Sequence, residues 1–445
     1  VAKSHPLQRI GGQEFTLMQR WWSVALCSLL VLVVVPAQAQ EMPPLIETLS
    51  LLPPAIDASP GDTPPGSWSG VLFYSDWETM LNVRGVSARP ADFDELDTMP
   101  DEVSDLYSAA TLFSLANTPA LAELVVLDAG VTGFDLRSLG QIVTIGDPPE
   151  DALLIRGAFN LPAFIEARTA AGFVVERETR ASAWGGFGAA VLCSAEGCDQ
   201  GRMIDPANRR VGDPLYGNLG QRPPIYIRED LVFATRDEIH FNRGVGVIEG
   251  ERESLMDDPL FRTAAEAISA DLTVMQAMFT FPRVIGAVSD SIAMANIGAP
   301  NLDALLAEAE ATFTPIPAYE IFAFGSGVRG EQVITQIVLV YRNSADAQNA
   351  GNIVAERIAT AVSLSGNRPW AELLQDRSMI LTAPAVFTSE TTGLSAAVIE
   401  FTAPLPTTIR LAEESQDRPA PSDEGYLLLV RGLNMRDLGF LAISF

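Results

Sequence analysis

The sequence is almost without lysine. Lys3 is the only one in 445 residues, so nothing beyond it can form a Schiff base or a P-loop phosphate contact. Histidine is nearly as scarce, with His5 and His240 alone. One imidazole in the body excludes a histidine-based zinc site of the usual kind. The cysteines are Cys27, Cys193 and Cys198, too few for a thiolate metal cluster. Positive charge is short as well: 29 Lys and Arg stand against 56 Asp and Glu, a formal net charge of −27. Residues 1–39 hold Lys3, Arg9 and Arg20 against Glu14, so the remainder carries −29. A body this acidic is repelled by nucleic-acid backbones and anionic lipid surfaces. No nucleic-acid partner, cofactor or metal site is expected. Cationic partners suit the charge.

Long apolar runs are also missing, with one exception. Met18–Ala39 reads MQRWWSVALCSLLVLVVVPAQA. Arg20 supplies a positive n-region, Trp21 to Val35 an apolar h-region, and Ala37-Gln38-Ala39 an A-x-A cleavage site. This is the pattern of a secretory signal peptide, with Met18 as the expected start and Gln40 as the first mature residue. The apolar run falls short of the roughly 20 residues a spanning helix needs, so no stable membrane span is expected after cleavage. Cys27 lies inside the h-region behind Leu26, where a lipobox wants a small residue, and is not read as a lipidation site. The expected location is secreted, periplasmic or cell-surface. In such an oxidising compartment, Cys193 and Cys198 are expected to form a local disulfide.

The expected layout is a leader and upstream extension at 1–39, a proline-rich linker at 40–67, a first α+β domain at 68–290, a bridge at 291–317 and a second α+β domain at 318–445. The clearest unit is Val333–Val362. An apolar run to Tyr341 meets a polar break at Asn343 and Ser344. Ala350, Ile353, Val354, Ile358 and Ala361 then recur at spacings of three and four. That reads as strand, cap, amphipathic helix. Gly70–Val83 and Ala152–Phe173 repeat it, capped at Ser75 or Asp76 and at Asn160, and Leu231–Glu249 is a further echo. Asp237–Ile248 fits helix or strand. Tyr426–Arg431 and Phe440–Phe445 read as closing strands. The fold class is α+β: mainly antiparallel sheet with packed helices in ferredoxin-like strand–helix–strand units.

Several motifs fall to bland readings. Gly325–Gly330 matches G-x-G-x-x-G, but a β pattern follows where a dinucleotide site needs a helix, so it reads as a hairpin turn. Leu124–Gly133 resembles the aspartic-protease signature, but Ala129 stands for the hydroxyl residue and no second copy supplies a partner acid. The acidic run from Asp92 to Asp105 lacks the spacing of a calcium loop and reads as a solvated helix start. A calcium-dependent adhesion module stays as a minor alternative. His240 lies among apolar neighbours, no G-x-S-x-G or S-x-x-K accompanies it, and it reads as structural.

The least regular stretch is Asp199–Pro224. Loops of this length are uncommon unless functional or disordered. Trp184, Phe187, Arg202, Arg209, Arg210, Tyr216 and Arg222 are therefore the candidate binding surface. The units at Val174–Gly186 (VVERETRASAWGG), Asp257–Ile268 (DDPLFRTAAEAI) and Arg368–Asp376 (RPWAELLQD) resemble exported bacterial α+β proteins of unknown function with repeated strand–helix–strand units. The resemblance covers the layout of residues 70–445. It implies an extracytoplasmic protein and no particular activity. The expected function is a non-enzymatic binding or envelope-associated protein acting through loop surfaces on a small molecule or an envelope or protein partner. The alternative is a carboxylate-based, glycosidase-like hydrolase, which needs only two suitably spaced acids.

Overall fold

Each strand–cap–helix unit expected from the sequence forms, and one physical device repeats. A short polar side chain at the strand end accepts a hydrogen bond from the first helical turn, satisfying an N–H that the helix cannot. The computed structural model describes residues 42–57, 70–83, 129–146, 151–179, 188–200, 203–210, 213–285, 301–363, 368–405, 424–434 and 437–444, with single positions such as Trp68 between them.

In chain order, α1 (Pro44–Leu49) precedes β1 (Leu72–Asp76) and α2 (Trp77–Val83). The short α3 (Ala129–Thr132) leads to β2 (Leu139–Ile145), β3 (Ala152–Gly157), α4 (Leu161–Ala170), β4 (Phe173–Thr179) and β5 (Ala189–Ser194). After the irregular loop come β6 (Ile225–Arg228), β7 (Leu231–Thr235), α5 (Glu238–Ile248), α6 (Pro259–Ser269), β8 (Thr273–Thr280) and α7 (Leu302–Thr312). The hairpin β9 (Ile321–Arg329) and β10 (Gln332–Tyr341) feeds α8 (Ser344–Thr360). The chain closes with β11 (Val362–Ser363), β12 (Arg368–Pro369), α9 (Trp370–Gln375), β13 (Ile380–Leu381), β14 (Ala385–Thr388), β15 (Ser395–Pro404) and α10 (Glu424–Asn434).

The caps are Asp76 to the Thr79 N–H (2.8 Å), Asn160 to Ala163 (3.1 Å), Asp237 to Ile239 (2.9 Å) and Asn343 to Asp346 (2.9 Å). Asp237 settles the ambiguous 237–248 segment as helix. Tyr426–Arg431 is a correction: it lies within α10, not a strand. Tyr426, Leu429, Val430 and Leu433 bury one helical face, and Gly425 and Gly432 let the backbone approach Thr335 and Leu438. Of the expected strand Phe440–Phe445, the described residues 440–444 are likewise no strand; its first residues lie in a 3-10 turn at Gly439–Leu441. The apolar stretch from Ser378 to Phe387 splits into β13 and β14 around Pro384, which has no N–H for a ladder.

One 13-stranded sheet holds the fold, in the order β13-β15-β10-β9-β8-β1-β2-β3-β7-β6-β5-β4, with β14 beside β15. All its ladders are antiparallel. The sheet crosses the expected 291–317 bridge without a break, because β8 pairs with β9. The 68–290 and 318–445 segments therefore share one sheet. Residues Pro44–Phe445 form one compact unit.

Strand alternation sends successive side chains to opposite faces. On one face Leu72, Val143, Leu154 and Phe233 meet Phe241 of α5 and Phe261 and Ile268 of α6. The other face carries two separate cores. Leu153, Ile155 and Val232 pack with α2 and α4, while Phe322, Ile337 and Leu339 pack with α8, α9 and α10. Between these two cores runs a polar row. Ser75, Gln276, Ser326 and Thr335 stand in register on four adjacent strands, β1, β8, β9 and β10. Gln276 and Ser326 are fully buried, and neither the Gln276 amide atoms nor Ser326 Oγ has a hydrogen-bond partner.

Candidate functional site

Two features stand out, and they lie on opposite faces of α4. The helix buries Leu161, Phe164 and Arg168 and turns Ala163, Glu166, Ala167 and Ala170 the other way. These two sets follow the three- and four-residue spacing of helix faces.

The outward set lines an open cleft of about 540 Å³ between α3 and α4. Gly130, Gly133, Phe134, Asp135, Ser138, Ala158 and Asn160 complete its lining. Gly133 is at φ +79 and comes against the backbone of Phe164, where a Cβ has no room. Asp135 and Glu166 are the carboxylates of the lining. Asp135 is already engaged: it accepts from the backbone N–H of Arg137 (3.0 Å), from the Arg137 guanidinium (2.5 Å at Nη2) and from Ser138 Oγ (3.4 Å). The cleft thus offers small methyl groups, one aromatic wall and the exposed carboxylate of Glu166.

The inward set reaches the irregular loop. Of the seven residues expected to form a binding surface there, Trp184, Phe187 and Arg202 lie outside the described residues. Arg209 is exposed. Arg210 and Arg222 are half-buried, and Tyr216 is buried. The loop is folded around Asp213 instead of spread over the surface. Asp213 Oδ2 accepts from Arg168 Nη1 (2.7 Å) and Arg210 Nε (2.9 Å), and Oδ1 accepts from the Leu215 N–H (3.1 Å). Arg210 also donates to the Gln221 carbonyl (2.6 Å), and its backbone N–H to the Gly217 carbonyl (2.8 Å). A Cβ on Gly217 would run into the Asp213 carboxylate, which explains the glycine.

Tyr216 is a correction as a surface residue. It takes φ +65 and donates its hydroxyl to Asp151 Oδ2 (3.2 Å), with the Arg236 guanidinium 4.7 Å above its ring. Burial and then the Asp151 charge push its phenol well above the ordinary tyrosine range. Sequence reasoning missed Arg168, Asp213, Asp151 and Arg236 as parts of this assembly. Arg168 carried a signal: it follows Leu161 and Phe164 at spacings of three and four, on the face that packs inward, where an arginine needs a buried partner.

Arg168 and Asp213 are both 0% exposed, and Arg210 side-chain exposure is 11%. Burial raises the Asp213 carboxyl, but the charges and hydrogen bonds of Arg168 and Arg210 outweigh it and hold the group below its ordinary value. Arg210 is lowered by burial; Asp213 counters this, and the Arg168 and Arg222 charges lower it further. Two guanidiniums thus share the Asp213 carboxylate, and a third, Arg222, lies near Arg210.

Other sequence features settle into packing. His240 is buried, with Nδ1 3.1 Å from Asp237 Oδ1 and its ring edge-on to Trp68 at 4.8 Å. Gly325 and Gly327 sit inside β9 and only Gly330 is at the turn, so the glycine pattern serves a hairpin. Cys193 and Cys198 are joined in a disulfide, with Cα atoms 4.7 Å apart. Among the described residues no group of three acidic, histidine or cysteine side chains could hold a metal ion, and no helix is long and apolar enough to cross a membrane. Most of the acidic run of 92–105 lies outside the described residues, as do residues 124–128 of the protease-like motif.

No family model and no curated protein matches the chain. Among solved structures, crystal form I of TP0453 is similar at a TM-score of 0.32 and 8% identity, over 80% of this chain and 93% of that one. Crystal form III of the same protein gives 0.27 and 9%, over 78% and 96%. Form IV gives 0.26 and 9%, over 62% and 80%. Likeness at this level carries no functional argument.

Proposed function

We propose that the chain is an exported, non-enzymatic binding protein that works outside the cytoplasm and takes a cationic, partly apolar ligand in the cleft beside α4. The cleft itself carries the reading: an open space of about 540 Å³, lined by alanine methyls, Phe134 and the exposed Glu166. The formal charge of −27 favours a positive ligand from a distance. The signal-peptide pattern of 18–39, the Cys193–Cys198 pair and the layout resemblance support the compartment. A hydrolase needs a second acid available opposite Glu166, and Asp135 is engaged by Arg137 and Ser138.

Calorimetric titration with monomeric decyltrimethylammonium, decyl sulfate and decyl maltoside tests the proposal. The cation binds the wild type. Ala163→Trp, which fills the cleft from an exposed position, abolishes the heat, and Glu166→Gln weakens it several-fold. Preference for the sulfate, or equal binding by Ala163→Trp, rejects the cleft. Turnover of aryl glycosides that Glu166→Gln abolishes would replace binding with hydrolysis.

A further inference from the structure

Around Phe173, at the start of β4, three guanidiniums converge. Arg168 lies 5.8 Å and Arg210 5.5 Å above its ring, and both hold the same Asp213 oxygen. Arg222 packs against Gly172, the residue before Phe173, and lies close enough to Arg210 to lower its proton affinity.

Asp213 cancels one of three positive charges. The C-terminal end of α4, beside Arg222, offsets roughly another half. Asp205 also feels Arg222, but its side chain is at the solvent and already accepts from the Ala207 N–H and from Asn208. More than one positive charge is left in a mostly buried place, which is costly without a counter-ion.

The hydrogen-bond accounting points the same way. Arg168 Nε and Nη2, Arg210 Nη1 and Arg222 Nε are buried without a partner. Arg168 is 0% exposed, so water at the surface cannot serve it. Its cation also lies 5.1 Å from the Phe164 ring centroid and 5.8 Å from that of Phe173, and neither ring offers an oxygen acceptor for the remaining N–H groups. Arg236, the fourth arginine nearby, is separately balanced by Asp151 at 3.5 Å.

We propose that Arg168, Arg210 and Arg222 form a site for a small tetrahedral oxyanion, phosphate or sulfate, free or as the terminal group of an ester. Arginine forks match such oxygens in pairs, and Asp213 pre-orients two of the three guanidiniums. Arg222, at the half-buried side, is the entry. The site is independent of the cleft: it takes the opposite charge and sits on the other face of α4.

The test is thermal unfolding of the whole chain in inorganic phosphate, sulfate and phenyl phosphate, each against chloride at equal ionic strength. The melting temperature rises with the logarithm of phosphate concentration, by about 3 °C at about a hundred times Kd for a unit of this size. Arg222→Gln, which loses no ion pair with Asp213, still folds and loses the dependence; Arg210→Gln is the second variant. Phosphorus NMR titration counts one site. A rise with inorganic phosphate but not with phenyl phosphate marks a closed site for the free ion, and a rise with both an open one for an ester. Equal melting in phosphate and chloride, or an unchanged phosphate dependence in Arg222→Gln, overturns the proposal.

Discussion

Asp213→Asn tests the electrostatic reasoning most directly. Asparagine keeps the shape of the side chain and leaves an oxygen for the Leu215 N–H. It removes the charge that Arg168 and Arg210 share at 2.7 and 2.9 Å. Breaking a fully buried ion pair from one side strands the other partner and costs about 3–5 kcal/mol. Arg168 cannot relieve the cost by losing its proton, since a guanidinium stays charged in a protein. The unit from Pro44 to Phe445 has about 400 residues, hence an unfolding entropy of roughly 0.8 kcal/mol/K. The expected drop in melting temperature is therefore about 4–6 °C near neutral pH.

Acid adds a second reading of the same variant. The Asp213 carboxyl is raised by burial but held below its ordinary value by its two arginines. A group whose folded pKa is depressed contributes its full stability above the unfolded value, about 3.9 for aspartate, and loses it as pH falls through the folded value. The gap between wild type and Asp213→Asn should be widest at neutral pH and narrow below about pH 4. Scanning calorimetry across that range measures it. Asp205→Asn, at an exposed 3-10 cap where asparagine caps about as well as aspartate, is the control and should leave the melting temperature near that of wild type. A variant that melts within about one degree of wild type at neutral pH, or a gap that acid leaves unchanged, would refute Asp213 as the counter-charge.

Two further outcomes follow from the same accounting. Gln276→Leu removes an amide that is fully buried with both polar atoms unpaired, and should stabilise the protein by about 1–3 kcal/mol; a loss in urea titration would mean that the amide is satisfied by water in solution. Asn343→Ala removes the cap of α8 and should cost about 1 kcal/mol, with faster amide exchange confined to the first turn of α8; exchange spread over β10 as well would mean that strand and helix open together.

Much of the fold was legible because its units announce themselves locally. Asn160 and Asn343 each close a β pattern and open a helical one and cap as that pattern implies; of Ser75 and Asp76 it is Asp76 that caps, and Asp237 caps a segment that the pattern left between helix and strand. The errors lie where an apolar run is continuous. Tyr426–Arg431 suits a buried strand as well as a helix, and composition cannot choose. The wider window could have: Tyr426, Leu429, Val430 and Leu433 recur at helical spacing, and all four are buried. Sheet order was beyond reach for a different reason. Pairing β8 with β9 and β1 joins residues far apart in the chain, and nothing local encodes which edges meet.

The irregular loop was found by its length and its arginines, but its direction was misjudged. Charged residues in a loop are normally solvated, so Arg210, Tyr216 and Arg222 read as a surface. What turns Arg210 inward is Asp213, and what holds Asp213 inside is Arg168, 45 residues earlier on another element. Leu161, Phe164 and Arg168 are spaced by three and four and all are buried. A cation on the apolar face of a helix demands a buried anion, and a body with so few cations seldom places one there without use. Extending that demand one step further reaches the oxyanion site: Asp213 is shared by two arginines, a third crowds them, and among the described residues their remaining buried N–H groups have no acceptor, a place for water or for something that binds.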